Sequence, residues 1–138
     1  MDIPPTAWFI LAALADFVLA IAHGVGGQGS FVSPLRRERL YPSPQWGDED
    51  MTGRIFAVTW HIVTVVFVAS GVVLMTLAIG LIEGGFLPSF ISALHATFIV
   101  LAFAIVGSRA LYTLRRPWAL MVVVSLVTVT VATWLGTR

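Results

Sequence analysis

Apolar residues fill this chain in four long runs, and polar residues gather between them. A run of about 20 apolar residues is long enough to cross a bilayer as a helix. The first extends from about Thr6 to His23, the second from about Ile55 to Leu81, the third from about Leu87 to Tyr112 and the fourth from Trp118 to Leu135. The breaks carry turn-forming residues: Gly24, Gly26, Gly27 and Gly29 after the first run, then Glu83-Gly84-Gly85 and Pro88, then Arg115-Arg116-Pro117. Pro117 suits the first turn of the last helix, where a missing N–H costs nothing.

The connection over residues 25–53 is long for a helix–helix link and has its own pattern. Ser33-Pro34 reads as an N-cap followed by proline at the first helical position. Leu35 to Leu40 then form a short interfacial helix that Pro42-Ser43-Pro44 ends. Asp48, Glu49 and Asp50 precede the second span, where negative charge suits a helix N-terminus. The expectation is an all-α fold: one four-transmembrane-helix bundle over residues 1–138, with a long first cytoplasmic connection carrying that interfacial helix.

Composition reinforces this pattern. The chain is 58% hydrophobic and 11% charged, with a mean hydropathy of +0.93, where a soluble domain carries about 25% charged residues. With no cysteine, disulfides, thiolate metal sites, thiol catalysis and thioether-attached haem are excluded. A net charge of +1 with no basic patch gives nucleic acid no footing.

Arginine placement orients the bundle. Arg36, Arg37 and Arg39 fall on the first connection and Arg54 at the start of the second span, Arg109, Arg115 and Arg116 on the same-side connection between spans three and four, and only Arg138 on the other side. By the positive-inside rule both arginine-bearing connections are cytoplasmic and both termini lie outside, in a multi-pass protein of a bacterial cytoplasmic (inner) membrane. Trp8 and Trp134 then mark the interface away from the cytoplasm and Trp118 the cytoplasmic one. Arg36, Arg37, Arg39, Arg115 and Arg116 are candidates for contact with anionic headgroups. The N-terminus lacks the basic start and cleavage site of a secretory signal, so the first span is expected to be retained.

Four ionisable residues lie within the spans: Asp16, His23, His61 and His95, which include every histidine of the chain. A titratable group in hydrocarbon is costly and is rarely idle there. At 1.5 Å per residue, His23 falls at the cytoplasmic mouth, Asp16 and His61 at a common depth, and His95 further in. Asp16 and His61 are therefore the expected direct pair. Trp60, Thr64 and Arg109 are secondary members, and His61 with His95 is the candidate metal-ligating pair. Each residue also has a structural reading: His23 as a helix-end cap, Asp16 and His61 as a bond between helices, and His95 as the one a cap explains least.

Three functional classes fit this constellation. In the first, the chain is an accessory or binding subunit, with a His/Asp cluster open toward the cytoplasm and a lipid-facing surface that docks a larger complex. The second is a subunit for electron transfer or for binding a tetrapyrrole, of haem or chlorophyll type, held by histidine. The third is a proton-coupled transporter acting as a homo-oligomer, because four helices enclose little space. An enzyme ranks below these, because no HExxH, histidine-box or nucleophile motif is present.

His23 with its following glycines, Phe31, Pro34-Leu35, Trp60-His61-Ile62-Val63-Thr64 and Arg116-Pro117-Trp118 form a familiar set. With them the chain resembles a family of small uncharacterised bacterial inner-membrane proteins with four predicted helices. The resemblance implies that architecture and an emphasis on His23 and Trp60-His61. Asp16 and His95 lie outside its pattern.

Overall fold

The computed structural model describes residues 3–38, 41–42, 47–106 and 117–138. Among these the chain is all-helical. Helix α1, Pro5–Ile21, opens on Pro5 at a position that needs no N–H. It passes without a break through two wider, π-helical turns, Ala22–Gly26 and Gln28–Val32, into α2, Ser33–Arg37. Helix α3 is Glu49–Ala78, α4 is Leu87–Val106 and α5 is Pro117–Leu135.

The first continuous helix therefore runs from Pro5 to Arg37, and the glycines after His23 do not end it. Gly27 and Ser33 hold ordinary right-handed helical angles. Ser33 is not an N-cap; its hydroxyl accepts a hydrogen bond from Gln28 Nε2 at 3.1 Å. The expected interfacial helix is instead the end of this long helix. The wide turn before Pro34 relieves the clash its ring would make with the carbonyl four residues back.

The second helix also starts earlier than hydropathy suggests, at Glu49 and not Ile55. The Asp48 carboxylate accepts the Met51 backbone N–H at 2.7 Å, a side-chain cap, and Glu49 and Asp50 complement the helix dipole. Its end is a full Schellman turn. Leu81 N–H reaches Thr76 O at 3.0 Å, Gly80 N–H reaches Leu77 O at 3.1 Å, and Gly80 takes φ +71°. Gly85, at φ +48°, sets the entry to α4.

The helices run up, down, up and down. Phe17 packs where Gly71 lacks a Cβ, Phe9 packs against Gly136, and the Ser92 hydroxyl donates to Thr130 O at 2.9 Å. The most extensive backbone packing joins α1 with α3, α1 with α5, and α4 with α5. Consecutive α3 and α4 meet instead through rings, Phe67 against His95 and Phe98. One core layer holds Ala12, Ala13, Leu74, Leu77, Ile91, Val129 and Ala132; another holds Leu19, Ala20, Phe67 and Leu126. The small residues of α1 face inward, as close helix approach requires.

Three helices, Pro5–Arg37, Glu49–Ala78 and the described part of α4, are long and apolar enough to cross a membrane. Large apolar side chains cover their outer faces, among them Leu14, Val18 and Ile21 on α1, and Val58, Ile62, Val65 and Val72 on α3. Past the four-helix region, the end of the first helix and the start of α3 continue as an antiparallel arm. Tyr41 packs on Gly53 and Phe56 there, and its hydroxyl donates to Val32 O at 3.4 Å. Arg39, Arg109, Arg115 and Arg116, and the end of the expected third span, lie outside the described residues.

Candidate functional site: two histidine networks

The polar residues of the spans divide into an inner pair and an outer cluster. The inner pair is Asp16 on α1 and His95 on α4, with Nε2 and Oδ1 2.8 Å apart and both side chains fully buried. Asp16 falls between the two core layers. His95 Nδ1 lies 2.9 Å from the carbonyl oxygen of Ile91. A carbonyl only accepts, so Nδ1 carries the proton. The short contact with Asp16 then requires a second proton between Nε2 and Oδ1, because a bare nitrogen lone pair facing a carboxylate would repel. The couple is therefore either imidazolium with carboxylate or neutral imidazole with carboxylic acid. Both forms are net neutral, which is what an apolar core tolerates. Asp16 Oδ2 has no hydrogen-bond partner among the described residues.

The expected Asp16–His61 pair is not made. The expected common depth rests on His23 ending the first helix and Arg54 starting the second. Both helices run past those points, and that shifts their register. His23 lies against Trp60 and Thr64 of α3, so Asp16, two turns deeper at roughly 10 Å, is level with Gly71, against which the neighbouring Phe17 packs. His61 is left at the outer end, exposed, with Nε2 3.1 Å from Gln28 Oε1.

The outer cluster is built on the π-helical turns of the first helix. His23 stacks on the Trp60 indole with centroids 4.2 Å apart and planes 10° from parallel. The Trp60 Nε1–H donates to the His23 carbonyl at 2.9 Å. The same carbonyl is also in reach of the Gly27 backbone N–H in the π-helical turn, so it accepts from both. His23 Nδ1 meets Thr64 Oγ1 at 3.0 Å, and that hydroxyl turns toward Trp60 O at 3.5 Å. Gly24 and Gly27 make this closeness feasible: a Cβ on Gly24 would come within 2.8 Å of Thr64 Cγ2, and one on Gly27 would overlap the Trp60 indole. Thr64 Oγ1 thus holds His23 at Nδ1, and Nε2 has no hydrogen-bond partner among the described residues. Gln28 Nε2 is committed to Ser33, so Gln28 Oε1 faces His61 and accepts from its Nε2–H, and Nδ1 of His61 has no partner among the described residues.

Trp60 and Thr64, the expected secondary residues, meet His23, and Arg109 lies outside the described residues. His61 and His95 do not form a ligand pair. His95 is sealed with both ring nitrogens engaged, and His61 is exposed among different partners. Among the described residues no group of three or more His, Asp or Glu side chains is arranged to hold a metal ion. Sequence inspection passed over Gln28 and Phe67. Gln28 sits in a glycine-rich stretch that reads as a loop, and Phe67 is one aromatic among many in an apolar run. No protein-family model, no curated protein and no solved structure matches the chain, so this site is interpreted from its own geometry.

Proposed function

We propose that this protein is an integral membrane accessory or binding subunit whose recognition element is the outer cluster of His23, Trp60, His61, Thr64 and Gln28. One observation carries this reading. Among the described residues, each outer histidine is oriented by a protein partner through one ring nitrogen and has none at the other, whereas His95 has both engaged. Held at one nitrogen and open at the other is how a histidine is prepared to meet a ligand. The cluster open toward the cytoplasm is in this reading the outer one, and Asp16–His95 is an internal clasp.

Membrane embedding is part of the proposal. It is supported by the three long apolar helices and by the apolar side chains on their outer faces, which water would penalise at about 25 cal/mol per Å². Arg36, Arg37 and Arg54 gather at the end of the arm, where Asp50 lies 3.9 Å from Arg36 and 2.8 Å from Arg54. That end is assigned to the cytoplasmic face and its anionic headgroups, with both termini outside. A larger membrane complex, or further copies of the chain, would pack on the apolar faces.

The test is purification of the full chain from membranes in mild detergent. A co-purifying partner that is lost in His23→Ala and His61→Ala, with helical content intact, supports the reading. A partner-free protein, or a partner retained in both variants, sinks it. Absorption spectra of the same samples address the tetrapyrrole alternative: a Soret band that vanishes in either variant would replace the accessory reading with that one. A reporter fused after Arg138 that proves cytoplasmic would overturn the orientation.

A further inference from the structure

The inner couple and the outer cluster are separated by one side chain. The ring of Phe67 lies 5.6 Å from that of His23, edge to face, and 5.8 Å from that of His95. Phe67 is 3% exposed and His95 0%, while His23 is half-buried at the open end. The sequence Trp60, His23, Phe67, His95, Asp16 is therefore a continuous line of touching groups, in which every member but Phe67 can donate or accept a hydrogen bond. A phenyl ring cannot relay a proton.

From these contacts we infer that Asp16 and His95 form an internal proton-binding site, and that Phe67 is the plug separating it from the open end at His23. The site holds one proton between Oδ1 and Nε2, because the Ile91 carbonyl commits the other ring nitrogen as donor. Oδ2 of Asp16, buried and without a partner among the described residues, is where a further proton or a water molecule is received. The surrounding groups leave few other routes. Among the described residues, α5 contributes hydroxyls of Ser125, Thr128, Thr130 and Thr133, α4 those of Ser89, Ser92 and Thr97, and α3 the buried hydroxyl of Ser70. From α3 the ionisable neighbour is His61, exposed at the outer end, and from the first helix it is His23, across Phe67. Phe67 also bridges α3 and α4, which lack close backbone packing and are joined here by its contacts with His95 and Phe98. Proton exchange with the inner couple therefore waits on the movement of one ring. This inference does not depend on what the outer histidines bind.

Diethyl pyrocarbonate, which modifies accessible imidazole nitrogens, tests the plug on the full chain in proteoliposomes, with mass spectrometry reading each histidine. His23 and His61 are expected to react and His95 to stay protected. Phe67→Ala should speed labelling of His95 by about tenfold or more, since reaction no longer waits for a local opening. Phe67→Leu, which keeps most of the core volume, should act in the same direction and remains informative if the alanine variant does not fold. Asp16→Asn, with Phe67 in place, should leave His95 protected. Three results would overturn the plug: His95 reacting as fast as His61 in the parent protein, His95 still protected in both folded Phe67 variants, or Asp16→Asn alone labelling as fast as Phe67→Ala. Nitrogen NMR of histidine-labelled protein tests the proton site. His95 should show a protonated Nδ1 and a hydrogen-bonded Nε2 that becomes a bare lone pair in Asp16→Leu; a bare Nε2 in the parent protein overturns it.

Discussion

Asp16 and His95, far apart in sequence, meet at 2.8 Å in the interior of the bundle with neither side chain exposed to solvent. Their bond ties α1 to α4, two helices that are not among the closely packed pairs. Removing one partner strands the other. His95→Leu leaves a buried carboxyl and should cost about 3 kcal/mol, while Asp16→Leu leaves an unsatisfied ring nitrogen and should cost about 1–3 kcal/mol. The double variant Asp16→Leu/His95→Leu should recover most of the loss, because an apolar pair needs no partner. Unfolding in mixed micelles measures all three. Simple addition of the two single losses would show that the residues are not coupled.

The glycines at the outer cluster differ in what they do. Gly27 leaves room for the Trp60 indole, whereas a Cβ on Gly26 would meet nothing within 4 Å. Gly27→Ala should therefore cost about 1–3 kcal/mol through overpacking. Gly26→Ala should be neutral or stabilising by up to about 1 kcal/mol, because alanine is the better helix former. Thermal unfolding of the two variants checks the contrast; equal effects would mean that the turn, and not the approach of α3, selects glycine.

Trp60 holds the first helix to α3 by a stack and by a hydrogen bond to the His23 carbonyl. Trp60→Phe keeps a ring but removes the donor, at an expected cost of about 1 kcal/mol. Amide hydrogen exchange should speed up around residues 22–28 and not in the Ala12–Ala13 layer. Uniform acceleration would place the effect in global stability instead.

Asp48 caps α3 through a 2.7 Å bond to Met51 N–H. Asp48→Ala should cost about 1 kcal/mol, felt locally as fraying of the first turn of α3. Loss of exchange protection near Met51 and Thr52, with the apolar part of α3 unchanged, is the expected readout.

Much of the fold was legible before any contact was known. Hydrophobic runs placed all four long helices, Gly84 and Gly85 placed the turn before α4, and Pro117 the start of α5. Helix ends were legible only where a local signal is decisive, as in the Asp48 cap. They were misread where glycines carry a helix onward, because glycine is compatible with both a turn and a close helix approach. Gly24 and Gly27 are buried against Thr64 and Trp60, a fact visible only from the other helix. The candidate residues were legible for the same reason as the spans: an ionisable group stands out in an apolar run. Their pairing was not, because it depends on the register between helices, and a register counted from misplaced helix ends is off by turns.

What the sequence determined by itself was local: a period and length of apolar residues that demand burial as helices, and four ionisable groups within them that demand partners. The tertiary structure alone decided who those partners are. Asp16 went to His95 and not His61 because the first helix and α3 run past their expected ends and slide Asp16 level with Gly71, two turns beyond His23 and its neighbours Trp60 and Thr64. The same register put Phe67 between His23 and His95, since contacts between helices depend on how two rigid rods are aligned, and no single stretch of chain encodes that alignment.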